Sequence, residues 1–229
     1  MPAARKALPK KPAGRVPSPR LGREARIDEI LKAAHEVFCR KGYEQTAVSE
    51  IAASIGVVEG TVFKYFATKR ELLLAVLERW YDSISDDRAR ELVGVASHRE
   101  RLRIVILGHL RTIRDQPLLC RLMFREVRAE QDYRGSGLHA KNRAYTRHLI
   151  DVVDEGIEAG EFRRDVSSSL MRDLVFGAVE HLTWNYICGR GALDVDAIAA
   201  QLTAMVCDGI ETPKPAARTR APTRTTKRA

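Results

Sequence analysis

Residues 46–73 read TAVSEIAASIGVVEGTVFKYFATKRELL. Within them Val48, Ile51, Ala52 and Ile55 recur at i, i+3, i+4 and i+7, the spacing of one apolar helix face. Gly56 stands just past that face, where a helix can end with positive φ. The following stretch predicts a shorter helix over about 58–66. It buries Val62 and Phe66, one turn apart, and turns Thr61, Lys64 and Tyr65 outward. Thr68, Lys69, Arg70 and Glu71 have the spacing of a capping box and open a third helix. Two short helices joined by a glycine-containing turn are how a helix-turn-helix presents its second helix to the major groove.

The same residues carry a family resemblance. The pattern V-x-x-I-A-x-x-x-G-V-x-x-G-T-x-(Y/F)-x-Y-F-x-x-K-x-x-L is similar to the DNA-binding signature of the tetracycline-repressor (TetR) family. It is met at Val48, Ile51, Ala52, Gly56, Val57, Gly60, Thr61, Phe63, Tyr65, Phe66, Lys69 and Leu72. The resemblance covers about residues 24–84, with the helix-turn-helix at about 47–66. It implies a sequence-specific transcriptional regulator, usually a repressor released by a small-molecule effector. It also implies a homodimer bound to a palindromic operator in double-stranded DNA. Three positions depart from the pattern. Ala47 stands where Ser or Thr commonly caps the second helix and meets a phosphate, and Thr46 is the nearest substitute. Val58 stands where Ser often caps the recognition helix. Phe63 replaces a common Tyr and so removes one hydroxyl donor.

The resemblance also assigns the DNA contacts. Glu59 falls at a variable base-facing position; a glutamate can accept a hydrogen bond from a cytosine amino group. It equally suits the positive end of a helix with no DNA role. Gly60 lets the backbone approach the duplex closely. Thr61 can meet a phosphate or a thymine methyl, Phe63 a thymine methyl, and Tyr65 and Lys69 phosphates. Lys64 is a candidate for a base or phosphate contact, or is simply a solvated lysine.

Working toward the N-terminus, Ile27, Ile30, Leu31, Ala34, Val37 and Phe38 form an apolar stripe that predicts a helix over about 23–40, ended by Gly42. Tyr43 is expected over the end of that small core. Toward the C-terminus a long helix is predicted over about 69–90, then helices over about 99–114, from Pro117 through Val127, over about 138–159 and over about 168–188. Pro117 suits a first helical turn. Asp194 is placed to cap a last helix running to about Gly209. No alternating strand pattern of useful length occurs. The fold class is therefore all-α with about nine helices: a three-helix DNA-binding domain and a larger helical domain over 85–211.

The net charge of +9 on 229 residues is unevenly placed. Residues 1–22 and 212–229 each carry six basic residues and no acid. The body between them carries 27 bases against 30 acids, a net of −3. Both ends are rich in Pro, Ala and Lys/Arg and are expected to be disordered basic arms. Such arms can raise DNA affinity by counterion release, or serve only for solubility. No run of 18 apolar residues exists, so neither a membrane span nor a membrane partner is expected. The N-terminus lacks the apolar stretch of a secretory signal. Cys39, Cys120, Cys188 and Cys207 are scattered without metal or disulfide spacing, which suits free thiols in a cytoplasm. There is no Gly-rich phosphate loop, metal-spaced His/Cys cluster or nucleophile elbow, so no enzyme, cofactor or metal is expected.

In the larger domain the resemblance implies dimerisation and effector binding. The last two helices are the candidates for dimerisation, through Leu170, Leu174, Gly177, Ala178 and His181 on one and Ile198, Leu202 and Val206 on the other. Gly177 and Ala178 are small enough to let helices come close. Trp80, Phe124, Tyr145, Phe176 and Trp184 are candidate pocket-lining aromatics, though aromatics at such spacing also serve as plain core. Arg111, Arg125 and Arg128 could face an anionic group. A largely apolar effector with an acidic head, such as a fatty-acyl thioester, fits that combination. His109, on an apolar face, reads as a core histidine.

A second reading keeps DNA as the partner but not the operator: a weakly specific, nucleoid-type binder whose basic arms dominate.

Overall fold

The computed structural model describes residues 22–213. All but the innermost residues of the two predicted basic arms lie outside that range. Among the described residues there are nine α-helices and no strand; Phe162 and Glu211 form one isolated antiparallel bridge. The all-α expectation holds.

Helix α1 is Arg23–Lys41. Gly42, at φ 80°, stops it and donates its N–H to the Phe38 carbonyl at 2.8 Å. Helix α2 is Val48–Ser54, and Gly56 at φ 71° turns the chain after it. Helix α3 is Glu59–Phe63. It is shorter than the spacing of Val62 and Phe66 predicts. The chain leaves the helix at Lys64, yet both apolar residues are still buried. As expected from their residue types, neither Ala47 nor Val58 makes a side-chain cap.

Helix α4 is Lys69–Leu92. Half of the box that opens it forms as expected, Thr68 Oγ1 accepting from the Glu71 N–H at 3.0 Å; the Glu71 carboxylate reaches one residue further back and accepts from the Ala67 N–H at 2.7 Å. Helices α5 (His98–Asp115) and α6 (Pro117–Leu122) follow, with Pro117 in the first turn of α6. The helix expected to continue through Val127 does not do so as an α-helix. Met123–Val127 is a π-helical turn, and Gln131–Tyr133 a 3₁₀ turn. Helices α7 (Gly137–Glu158), α8 (Ser168–Ile187) and α9 (Val195–Ile210) complete the chain. Asp194 caps α9 by accepting from the Ala197 N–H at 3.0 Å.

The chain forms two compact units. The first takes the described residues up to Asp87 together with Thr112–Tyr145 and Thr183–Leu193. Ile30, Ala34 and Phe38 of α1, Ile51 and Ala52 of α2, Val62 of α3 and Leu72, Leu73 and Leu77 of α4 are buried in it. Asp28 of α1 pairs with Lys32 at 2.8 Å and with Arg79 of α4. The second unit takes Arg88–Arg111, Thr146–Leu182 and the described residues from Asp194 on. Leu102, Ile106, Leu149, Val153, Val179 and Ala199 are buried in it. Gly156 leaves room for the buried Phe162 ring, which a Cβ there would meet at 2.3 Å.

Candidate nucleic-acid interface

The three N-terminal helices leave one side of α3 uncovered. Val62 is 1% exposed and anchors the helix to the core. Glu59, Gly60 and Lys64 are exposed, as is Phe63 at 42%, while Thr61 and Tyr65 are half-buried. Such exposure of a large apolar ring, flanked by charge and glycine, is the informative case. Ala47, at the start of α2, is also exposed. The Arg23 guanidinium lies 5.8 Å from the centre of the Tyr65 ring. A Cβ added at Gly60 would meet nothing within 4 Å, and its φ is not positive. Nothing inside the chain therefore demands glycine there, unlike Gly56, whose φ does.

Two expected contacts turn inward. Thr46 is 3% exposed, and its hydroxyl donates to the Gly42 carbonyl at 2.7 Å. It is not available to replace the cap missing at Ala47. Lys69, expected to meet a phosphate, also has partners within the chain. Its ammonium donates to the main-chain carbonyls of Tyr43 (2.8 Å) and Thr46 (3.0 Å), with a longer contact to that of Glu44 (3.5 Å). It lies 4.3 Å from the centre of the Tyr43 ring. Two of the three N–H donors of the ammonium are thereby held at ordinary hydrogen-bond length. Next to it, Arg70 is held by the Asp132 carboxylate at 2.7 and 3.3 Å and by the Glu126 carbonyl at 3.3 Å. The Lys41 ammonium reaches Glu50, tying the end of α1 to α2.

Family models match at both ends of this architecture. That for the bacterial regulatory proteins of the tetR family matches residues 30–76, and that for the tetracyclin repressor-like C-terminal domain matches residues 95–210. The chain belongs to the TetR family. It is a DNA-binding transcriptional regulator, not an enzyme, and its partners are operator DNA, a second copy of itself and a small-molecule effector. The chain is 24% identical over 182 residues to the fatty acid metabolism regulator protein of Bacillus subtilis, covering 80% of this chain and 94% of that protein. It is 27% identical over 191 residues to KstR2, an HTH-type transcriptional repressor of Mycobacterium tuberculosis, covering 81% and 93%. The crystal structure of FadR from Bacillus subtilis in complex with stearoyl-CoA superposes with a TM-score of 0.71 at 24% identity, over 80% of this chain and 99% of that one.

The candidate dimer face of this TetR regulator lies on α8 and α9. Leu170 (56% exposed), Leu174 (55%), Gly177 and His181 form a stripe along α8, with Ala178 half-buried beside it. On α9, Ile198, Leu202 and Val206 are half-buried. Leu182 and Met205 are exposed apolar residues of the same unit that the periodicity argument missed.

Of the five candidate pocket aromatics, Trp80, Phe124, Tyr145 and Trp184 belong to the first unit and Phe176 to the second. Trp80 and Tyr145 both flank Tyr81, with ring centres 4.9 and 6.0 Å away, and burial pushes the Tyr81 phenol well above its ordinary pKa. Phe124 is covered by Arg128, 5.2 Å from its centre. Trp184 is partly exposed. Phe176 belongs to the second unit and meets His109 edge-on at 4.7 Å. A cleft of about 170 Å³ in the first unit has Trp80 among its walls, with Leu31, Val76 and Leu119. The other four aromatics do not line it. Arg111 lies 3.8 Å from Asp196, and Arg125 is exposed.

Among the described residues no helix is long and apolar enough to cross a membrane, and no cluster of three or more His, Cys, Asp or Glu could hold a metal.

Proposed function

We propose that this protein is a cytoplasmic, homodimeric repressor that grips a palindromic operator with the exposed side of α3 and is released by a long-chain fatty-acyl thioester. The observation that carries the DNA half is the orientation of α3. Val62 faces the core, and Glu59, Gly60, Phe63 and Lys64 face solvent. In this reading Gly60 brings the backbone against the duplex, Glu59 and Phe63 meet base edges, and Thr61, Lys64, Tyr65 and Ala47 lie along the phosphates. Residues 24–84 bind DNA, and residues 85–211 carry the effector site and the dimer face. Reading a palindrome requires two recognition helices about one helical turn apart, and the apolar stripe on α8, with α9, supplies the pairing surface.

The effector class is supported by the Bacillus subtilis relative named for fatty acid metabolism and by the FadR structure from the same organism, crystallised with stearoyl-CoA. The effector acts by population shift. It favours a dimer whose recognition helices no longer match successive major grooves, and α4 carries the change. A differential affinity of about 1–3 kcal/mol suffices for useful control.

The test is selection of bound fragments from the protein's own genomic DNA, then titration of the purified complex with stearoyl-CoA, coenzyme A alone and stearate. Release by the thioester alone supports the reading; release by none of the three removes the proposed effector. The nucleoid-type alternative predicts no enriched fragment. It also predicts that affinity collapses to the same low value on all DNA when residues 1–21 and 214–229 are removed.

A further inference from the structure

The sequence places a cation in the first turn of α4. That is the wrong charge for the positive end of a helix dipole, so Lys69 needs compensating acceptors. The structure supplies them from the turn joining α1 to α2. The carbonyls of Tyr43, Glu44 and Thr46 converge on Nζ at 2.8, 3.5 and 3.0 Å, and the Tyr43 ring lies beneath it. The same turn is tightened from within by the Thr46 N–H to Tyr43 carbonyl bond (3.2 Å) and by the Thr46 hydroxyl. It leads directly into α2, whose first turn has no side-chain cap. The entry to the helix-turn-helix is therefore held by a cation 23 to 26 residues later in the chain, where a side-chain cap would ordinarily hold it.

We infer that Lys69 is a positioning residue for operator recognition: it clamps the α1–α2 turn and so fixes the setting of α2 and α3, without itself binding a phosphate. The inference rests on the DNA-binding reading above. Two of its donors are spent on carbonyls at 2.8 and 3.0 Å and a third carbonyl, that of Glu44, stands 3.5 Å away, so a phosphate would have to compete with the turn for the ammonium. Charge alone is not what the site uses. It uses a compact point donor with three diverging N–H groups, which a planar guanidinium does not reproduce.

Two substitutions separate the roles: Lys69→Met, which keeps the stem, and Lys69→Arg, which keeps the charge. Operator affinity is measured from 50 to 300 mM salt on a fragment recovered by the genomic selection, with Lys64→Met as comparator. A phosphate contact contributes about 0.9 to the slope of log K on log[salt] for each copy. The expected result is an operator Kd raised about tenfold for both Lys69 variants, with the wild-type slope, because leaving the turn's carbonyls unmatched loosens α2. Hydrogen exchange of the free proteins should show faster exchange at residues 46–58 in both variants, and not in Lys64→Met. The inference is overturned if Lys69→Met lowers the slope while Lys69→Arg restores both slope and affinity, or if exchange in residues 46–58 is unchanged. Should Lys69→Met fail to fold, Lys69→Arg carries the same comparison. The exchange measurement needs no DNA, so it still decides the clamp if the wild-type protein proves to select no fragment.

Discussion

Gly60→Ala separates what the protein needs for itself from what it needs for DNA. Gly60 is the second residue of α3, has no positive φ, and has open space where a Cβ would go. Inside the chain the methyl group is therefore neutral or helpful. Alanine is favoured over glycine in a helix by about 0.5–1 kcal/mol, with less expected in a five-residue helix. That corresponds to a Tm raised by at most about 2–4 °C for a chain of this size. Against a duplex the balance reverses. If the backbone at Gly60 is pressed onto the groove, the methyl must be accommodated by displacement, an overpacking cost of about 1–3 kcal/mol, or about 5- to 150-fold in Kd. The assay is fluorescence anisotropy on the operator at fixed salt, paired with thermal unfolding of the same samples. Gly56→Ala is the control. Its φ of 71° makes an L side chain strained by about 1–2 kcal/mol, although nothing lies within 4 Å. Gly56→Ala should thus lose stability and binding together, while Gly60→Ala loses binding alone. Wild-type affinity in Gly60→Ala, or a loss of binding that merely follows a lower Tm, would refute the close-approach argument.

Leu174→Asp should leave the monomer folded, because the side chain is 55% exposed, yet shift sedimentation from dimer to monomer and abolish binding to a full palindrome; a dimer that persists would move the interface elsewhere. Acid should weaken the fold only at low pH. Arg103 beside Glu100, Arg101 beside Glu155 and Lys41 beside Glu50 hold these carboxyls below their ordinary value of 4.5. Groups with depressed folded-state pKa values stabilise above the unfolded value, so denaturant midpoints should be insensitive to these pairs from pH 7 down to 5. They should then fall as pH drops below 4.5 through the folded-state values; a loss centred near pH 6 would contradict this assignment. Burial pushes the thiols of Cys39 and Cys207 up to about 11 and that of Cys120 to about 12. Since the thiolate is the reactive form, these three should resist iodoacetamide at pH 8 in the native protein and react on unfolding. Rapid native labelling of any of them would point instead to an accessible, activated thiol.

Much of this molecule was legible because helix faces are local. The stripe from Ile30 to Phe38, Pro117 in a first turn, the Thr68–Glu71 box and Asp194 before α9 each state their structure within a few residues. The misreadings have physical causes. Val62 and Phe66 sit at i and i+4, a spacing that a helix satisfies. A turn that folds back onto the same core satisfies it as well, and so α3 ends at Phe63. The π-helical turn at Met123–Val127 adds one residue per turn without changing which residue types are apolar, so no periodicity marks it. Tyr133, buried by the 3₁₀ turn and bonded to Asn142 at 2.7 Å, lies in a stretch whose polar composition reads as loop. The pocket aromatics show the limit of composition: Trp80 and Tyr145 meet a common ring, that of Tyr81, and chain position alone does not say which aromatics share a space.

Gly60 and Lys69 carry the same family pattern equally well, yet they face opposite ways. A pattern records that a position matters and does not distinguish a residue that touches DNA from one that holds the residues that do. Burial and partners make that distinction. Gly60 has no close neighbour where a Cβ would go, so in the proposed reading its constraint comes from the duplex. Lys69 has two donors held by main-chain carbonyls, so in the inference drawn above its constraint comes from within. One signal in the sequence did point this way. A lysine in the first turn of a helix opposes the dipole, and such a residue either awaits an anion or has already found carbonyl oxygens. Main-chain carbonyls are invisible to any reading of side-chain types. The sequence could therefore announce that Lys69 needed a partner, and only the folded turn at Tyr43–Thr46 could say which.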